Sequence, residues 1–189
     1  MIVVFGGAFN PPTIAHKEIY YLISQQMNIS QFIFLPVSKK YSKANLIDDN
    51  HRLKMLDLMI KNMPKAIVST METEDETFLG TYVSLTRIKK ANPNHSIAFV
   101  LGADNLEHLD QWKHATQLVK EFQFIVIKRN QKDLHQLIND HPLLEAYKHH
   151  FRFINHFESN VSSTLFRETH DPEYVDEDVY HYIMKNELY

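Results

Sequence analysis

A doubly wound α/β domain, with a mainly parallel sheet flanked by helices, is the fold this sequence predicts. Three observations carry it. Short apolar runs rich in Val, Ile and Phe alternate with longer stretches of helical periodicity along the whole chain. Those runs are nearly continuous, as strands covered on both faces must be. Repeated strand–helix–strand order then brings successive strands side by side in parallel, with right-handed crossovers.

The first strand is predicted over Ile2–Phe5. Gly6 and Gly7 follow it, Pro11 and Pro12 block an early helix, and a helix begins near Thr13 with Ile19, Leu22 and Ile23 on one stripe. The second strand is Phe32–Pro36, followed by a helix with Leu53, Leu56 and Ile60 on its apolar face. Further strands are expected over Ala66–Thr70, Ile97–Leu101, Phe124–Ile127 and Phe151–Ile154, with a helical stripe of Leu134, Leu137 and Ile138 between the last two. No internal repeat, low-complexity tract or Gly/Ser linker interrupts the pattern. With 189 residues, one full core is within reach, so a single domain is expected over 1–189, with a helical segment from about 163 to 189.

The composition narrows the class. Hydrophobic residues at 44% and charged residues at 23% are those of an ordinary globular protein. A net charge of −3 gives no electrostatic reason to expect nucleic acid as partner. There is no cysteine, which excludes disulfides and cysteine-ligated zinc and fits a cytosolic protein. Met1–Phe5 has no basic region before it and meets glycine too soon for a signal peptide, and no apolar run approaches the ~18 residues of a membrane span. Cytoplasmic, with no membrane partner, is therefore the expectation. The 12 histidines show no HExxH or similar ligand spacing, so no protein-held metal is expected.

Sheets of this kind hold ligands beyond the carboxyl ends of their strands. GGAFNPPTIAH, residues 6–16, occupies such a place. It lacks the GxGxxG spacing, and no GxxxxGK[ST] occurs in the chain. Thr13 is placed to cap the helix, with its hydroxyl accepting from the His16 N–H, and the two side chains are three apart. A helix start with a hydroxyl and an imidazole suits phosphate. After the last strand, residues 160–167 read NVSSTLFR, a second helix start on which Ser163, Thr164 and Arg167 share a face. Hydroxyls beside a guanidinium fork again suit a polyphosphate. Each motif alone is also compatible with an ordinary capped helix. Asp104 follows the fourth strand, where a carboxylate suits ribose hydroxyls or a helix cap equally.

GGAFNPPTIAH resembles the (H/T)xGH loop of the nucleotidyltransferase superfamily, and VSSTLFR resembles its ISSTxxR motif. Narrower stretches resemble the bacterial nicotinate-nucleotide adenylyltransferases. These are Asn50–Leu56 against HRLxML, Gly80–Thr86 against GxSYTxxTL, and Leu101–Leu106 with Leu109, Gln111 and Trp112 against GADxxxxLxxW. The ending from Val179 to Tyr189 resembles VxxYIxxxxLY.

The resemblance implies a Rossmann-like nucleotidyltransferase that joins ATP to nicotinate mononucleotide, giving deamido-NAD and pyrophosphate in NAD synthesis. It implies catalytic roles for Thr13, His16 and Arg167. ATP would meet Gly6, Gly7, Ala8 and Phe9 on one side, Gly102 and Asp104 on another, and Ser163, Thr164 and Arg167 opposite Thr13 and His16. Asn10, Lys39, Lys40, Tyr82, Val83 and Trp112 would meet the acceptor, Trp112 by stacking on the pyridine ring where core packing is its other fate, and Val83 by its backbone N–H. Lys39, Lys40 and Lys43 form a basic cluster that reads either as a solvated loop or as a clamp on substrate phosphate. Mg²⁺ would arrive on the nucleotide. A homo-oligomer is compatible with the family and is not read from the chain. Thr13 stands for a more usual His, Ala15 for Gly, Asn10 for Asp and Val83 for Thr, the PHK signature after the second strand is missing, and the connection after Arg167 is short. These departures leave other acceptors open, nicotinamide mononucleotide or phosphopantetheine among them, and also a nucleotide-binding paralogue without activity.

Overall fold

The structure, a computed structural model, describes residues 1–41, 46–128, 134–154, 157 and 159–189. Among them the strands are β1 (Ile2–Gly7), β2 (Gln31–Pro36), β3 (Ala66–Val68), β4 (Ile97–Gly102), β5 (Gln123–Ile127) and β6 (Phe151–Ile154). The helices are α1 (Ile14–Gln26), α2 (Asp49–Ile60), α3 (Met71–Glu74), α4 (Thr81–Ala91), α5 (Ala103–Leu106), α6 (Ala115–Glu121), α7 (Leu134–Asn139), α8 (Pro142–Ala146), α9 (Ser163–Thr169) and α10 (Glu177–Lys185). The strands form a six-stranded sheet in the order β3-β2-β1-β4-β5-β6. Chain travel through the sheet reverses between β1 and β4, the switch point beyond whose carboxyl ends such folds bind ligands.

The chain divides into two compact units. One comprises Met1–Gly6 and Leu79–Glu158. In it β1, β4, β5 and β6 pair in parallel, with Ile2 opposite Ile97, Ala98 opposite Gln123 and Phe124 opposite Phe151. Its strand cores are the buried runs Ile2–Phe5, Ile97–Leu101 and Phe124–Ile127, closed over by Leu85 and Ile88 of α4 and Leu118 and Val119 of α6. Phe124 and Phe151 stack across the β5–β6 pair, centroids 4.9 Å apart.

The other unit comprises Gly7–Phe78 and Ser159–Tyr189. β2 and β3 pair in parallel, Phe32 opposite Ala66. Ile19, Tyr20 and Ile23 of α1, Met55 and Leu56 of α2, Phe166 of α9, and Val179 and Ile183 of α10 are buried. Tyr20, Phe32, Phe34 and Phe9 form a chain of tilted and edge-on rings. His51 Nδ1 meets the Tyr182 hydroxyl at 2.8 Å, joining α2 to α10.

The strands fall where expected, with three differences. Gly6, Gly7 and Gly102 lie in the last positions of β1 and β4 rather than beyond them. β3 stops at Val68, two residues early, where Thr70 already has helical φ and ψ and its carbonyl accepts from the Thr73 and Glu74 N–H groups. The buried face of α2 is Arg52, Met55, Leu56 and Met59, whereas Leu53 and Ile60 are only half-buried. An arginine at the centre of that face displaced the expected stripe. Gly7 is fixed by its neighbour: a Cβ there would lie 3.1 Å from the ring of Phe9, which is 1% exposed. Gly7→Ala is therefore expected to lower stability by about 1–3 kcal/mol, read as a fall in the urea midpoint. Phe9→Leu in that background should recover part of it.

Candidate active site

From the end of β1 to the start of α1, five backbone carbonyl oxygens are tied to donors. Gly7 O accepts from the Val37 N–H at 3.0 Å. Ala8 O accepts from Arg52 Nη1 at 2.6 Å, Asn10 O from Arg167 Nη1 at 2.5 Å and Pro11 O from the Ser163 hydroxyl at 2.7 Å. Thr13 O takes the N–H groups of His16 and Lys17, at 3.0 and 3.3 Å. Phe9, with a φ of +46°, is the buried pivot of the loop, its ring edge-on to His16 at 5.0 Å.

Thr13 caps α1, and it forms a reciprocal capping box with His16. The Thr13 N–H donates to His16 Nδ1 at 2.9 Å, and the Thr13 hydroxyl lies 2.8 Å from the same nitrogen. A nitrogen that accepts from an amide carries no proton, so the hydroxyl also donates to it, and the neutral ring holds its proton on Nε2. Thr13 is 1% exposed, so its side chain orients the imidazole from beneath. His16 is half-buried.

On α9 the N-cap is Ser162, whose side chain accepts from the Leu165 N–H at 3.1 Å. Ser163, Thr164 and Arg167 share a face as expected, and Arg167 Nη2 donates to the Thr164 hydroxyl at 3.2 Å. Two of the three also hold the β1–α1 loop, through Asn10 and Pro11. Asn10 is 3% exposed, and its Oδ1 accepts from the Ile47 N–H at 3.3 Å and the Tyr189 hydroxyl at 3.0 Å. Burial pushes the Tyr189 phenol well up, against the pull of the Arg167 and Arg52 charges.

Arg52 is the largest fully buried side chain of the protein's described residues, at 0% exposure. Beside Ala8 O it reaches Val37 O and Asp49 Oδ1, both at 2.5 Å. Asp49 in turn accepts from the Lys39 N–H at 2.8 Å and the Ser38 hydroxyl at 3.0 Å. Burial raises the Asp49 pKa, but the Lys39 N–H, Arg52 and Ser38 outweigh it and hold the carboxyl below its ordinary range. Lys39 and Lys40 are exposed in a short 3₁₀ turn, Lys40 Nζ lying 3.8 Å from Glu76. Lys43 lies outside the described residues.

In the other unit, Gly102 caps α5, and a Cβ there would meet nothing within 4 Å. Asp104 is exposed in the first turn of α5 and makes no cap. Tyr82, at the start of α4, donates to Glu121 at 3.1 Å, and its ring lies 5.5 Å from His114. The Val83 N–H is taken by Gly80 O at 3.0 Å. Trp112 is half-buried, edge-on to Phe99 at 6.1 Å.

Among the described residues no three His, Cys, Asp or Glu side chains converge as a metal site, and no helix is long and apolar enough to cross a membrane. A loop with its carbonyls turned to protein donors, an imidazole N–H and a guanidinium is equipped to receive a polyphosphate. The chain belongs to the cytidylyltransferase-like family, whose model matches residues 4–169. It is 32% identical, over all of its own length and 97% of the relative's, to a protein of Acholeplasma laidlawii named a probable nicotinate-nucleotide adenylyltransferase. A Streptococcus pyogenes protein of the same name is 31% identical over 68% of this chain and 62% of its own. By these matches the chain is one of the nicotinate-nucleotide adenylyltransferases, enzymes of the nucleotidyltransferase class. A solved structure, "Plasmodium falciparum nicotinic acid mononucleotide adenylyltransferase complexed with NaAD", shares its fold, with a TM-score of 0.79 and 24% identity over 99% of this chain and 96% of that one.

Sequence reasoning missed Arg52, Asp49 and Tyr189 as parts of this region, although the motifs containing Arg52 and Tyr189 were visible. Because Asp49 is held below its unfolded value, it adds stability that is present above the ordinary carboxylate pKa and lost as pH falls through the folded one. The urea midpoint of the wild type should therefore fall more steeply than that of Asp49→Asn between about pH 5 and pH 2.

Proposed function

We propose that the chain transfers the adenylyl group of ATP to nicotinate mononucleotide, with the whole of residues 1–189 acting as one catalytic domain in the cytoplasm. The acceptor's phosphate oxygen attacks the α-phosphorus of ATP. The bond from that phosphorus to the bridging oxygen breaks, and pyrophosphate leaves with the electron pair. No enzyme nucleophile takes part, so positioning and charge stabilisation carry the rate. The observation that carries this reading is the convergence of Thr13, His16, Ser163 and Arg167, from opposite ends of the chain, on the β1–α1 loop. The names of the relatives agree with it.

In this reading His16 donates from Nε2 to the triphosphate as charge moves toward pyrophosphate, and Thr13 holds the ring for that task. Arg167 and Thr164 meet the triphosphate from α9, and Ser163 keeps the loop carbonyl out of its way. Gly6, Gly7, Ala8 and Phe9 contribute backbone. Gly102 leaves open space for the nucleotide, and Asp104 takes ribose hydroxyls. Lys39, Lys40, Tyr82, Val83 and Trp112 serve the acceptor, whereas Asn10, 3% exposed and with its Oδ1 taken by Ile47 and Tyr189, shapes the loop from below. With its N–H engaged by Gly80, Val83 contributes no backbone donor to a pyridine carboxylate. The groups around the loop are hydroxyls, an imidazole and a guanidinium, a poor donor set for a resident Mg²⁺, so the ion is read as riding on ATP.

Pyrophosphate release with ATP, Mg²⁺ and each acceptor in turn tests the reading. Nicotinate mononucleotide should give the highest kcat/KM, ahead of nicotinamide mononucleotide and phosphopantetheine. Release with neither pyridine mononucleotide would overturn it. His16→Ala should lower kcat by about 10²-fold or more with unchanged circular dichroism; a folded, fully active variant would remove His16 from the mechanism. Trp112→Ala should raise KM for the acceptor more than for ATP, and equal effects would argue against ring stacking.

A further inference from the structure

We propose that Tyr189 is a positioning residue of the phosphate loop, acting through Asn10, an inference that rests on the adenylyl-transfer reading. The chain leaves α10 through a sharp reversal. The Asn186 N–H donates to Tyr182 O at 3.2 Å, Glu187 takes a φ of +49°, and the Leu188 N–H reaches back to Ile183 O at 3.1 Å. Such a six-residue closure ends a helix and turns the chain across its own axis. Here it delivers Tyr189 to the β1–α1 loop, 179 positions away in sequence, where the hydroxyl donates to Asn10 Oδ1 at 3.0 Å. The ring stands edge-on to Phe166, the buried anchor of α9, with centroids 6.2 Å apart.

Asn10 is the hub of the contact. Its Oδ1 receives Tyr189 and the Ile47 N–H, and its carbonyl receives Arg167. Two donors on Oδ1 fix which way the amide faces. Without the phenol, Oδ1 keeps of these two donors only the 3.3 Å contact to Ile47, and the residue that seats Arg167 loses the shorter of the two. Small displacements of charge-stabilising groups are costly to rate: a misplacement of about 1 Å can lose about 10²-fold. Tyr189 spends its hydroxyl on Asn10 rather than on substrate, so its effect is exerted through the loop.

Tyr189→Phe removes one oxygen and keeps the ring. At saturating ATP and acceptor, and well below the unfolding midpoint, its kcat should fall about tenfold while the KM for the acceptor and the urea midpoint change little. In an Asn10→Ala background the same substitution should change kcat by less than about twofold, because its route is gone. Wild-type kcat in Tyr189→Phe overturns the inference, and so does a full tenfold loss that persists without Asn10. A wild type inactive toward every acceptor sinks the adenylyl-transfer reading instead. The inference is then decided by ATP affinity in calorimetry, which Tyr189→Phe should weaken by about threefold or more and which, if equal, overturns it.

Discussion

Backbone carbonyl oxygens carry the wrong partial charge for the phosphate site proposed here, and this chain gives those of Gly7, Ala8, Asn10 and Pro11 a donor each. The ties come from an amide, two arginines and a serine: Val37, Arg52, Arg167 and Ser163. The two neutral ties contribute only about 1 kcal/mol net each, and the two from guanidinium groups about 1.5–3 kcal/mol. A fully buried guanidinium costs several kcal/mol of desolvation before its partners offset it. The arrangement is therefore better understood as geometry than as stability. Arg52 can be afforded at the centre of α2 because Asp49, one turn earlier, supplies its counter-charge.

The same logic places His16. Its ring is held at Nδ1 by the residue that starts its own helix, so the cap of α1 and the orientation of the imidazole are one device. Arg167 is likewise part of the scaffold it serves, since one arm holds Asn10 and the other Thr164. Groups that touch one another before any substrate arrives need little reorganisation when charge develops.

The sheet was legible in the sequence because continuous runs such as Ile97–Leu101 have few other ways to be buried on both faces. The two helix starts were legible because hydroxyl, imidazole and guanidinium at spacings of three and four have local consequences. What escaped notice had long-range causes. Nothing in the letters of α2 says that Arg52 faces inward, because its partners are two carbonyls and a carboxylate brought there by folding, and a hydropathy stripe scores arginine as surface. The end of β3 depended on the backbone of Thr70 turning into α3, where its carbonyl accepts from Thr73 and Glu74. That the Val83 N–H is taken by Gly80 O is likewise the outcome of a single turn bond that composition does not encode.

The early end of β3 has a further consequence. A parallel sheet offers an unpaired backbone row at each edge, and such rows recruit strands from other chains. Here the two outer strands are the shortest of the six, at three and four residues. Ile67, at 39% exposure, is the only large apolar side chain that β3 shows to solvent, and β6 sets the exposed Arg152 on its own edge. An intruding strand would find too few rungs to climb, so a chain built around long buried strands keeps its margins poor templates for fibril growth.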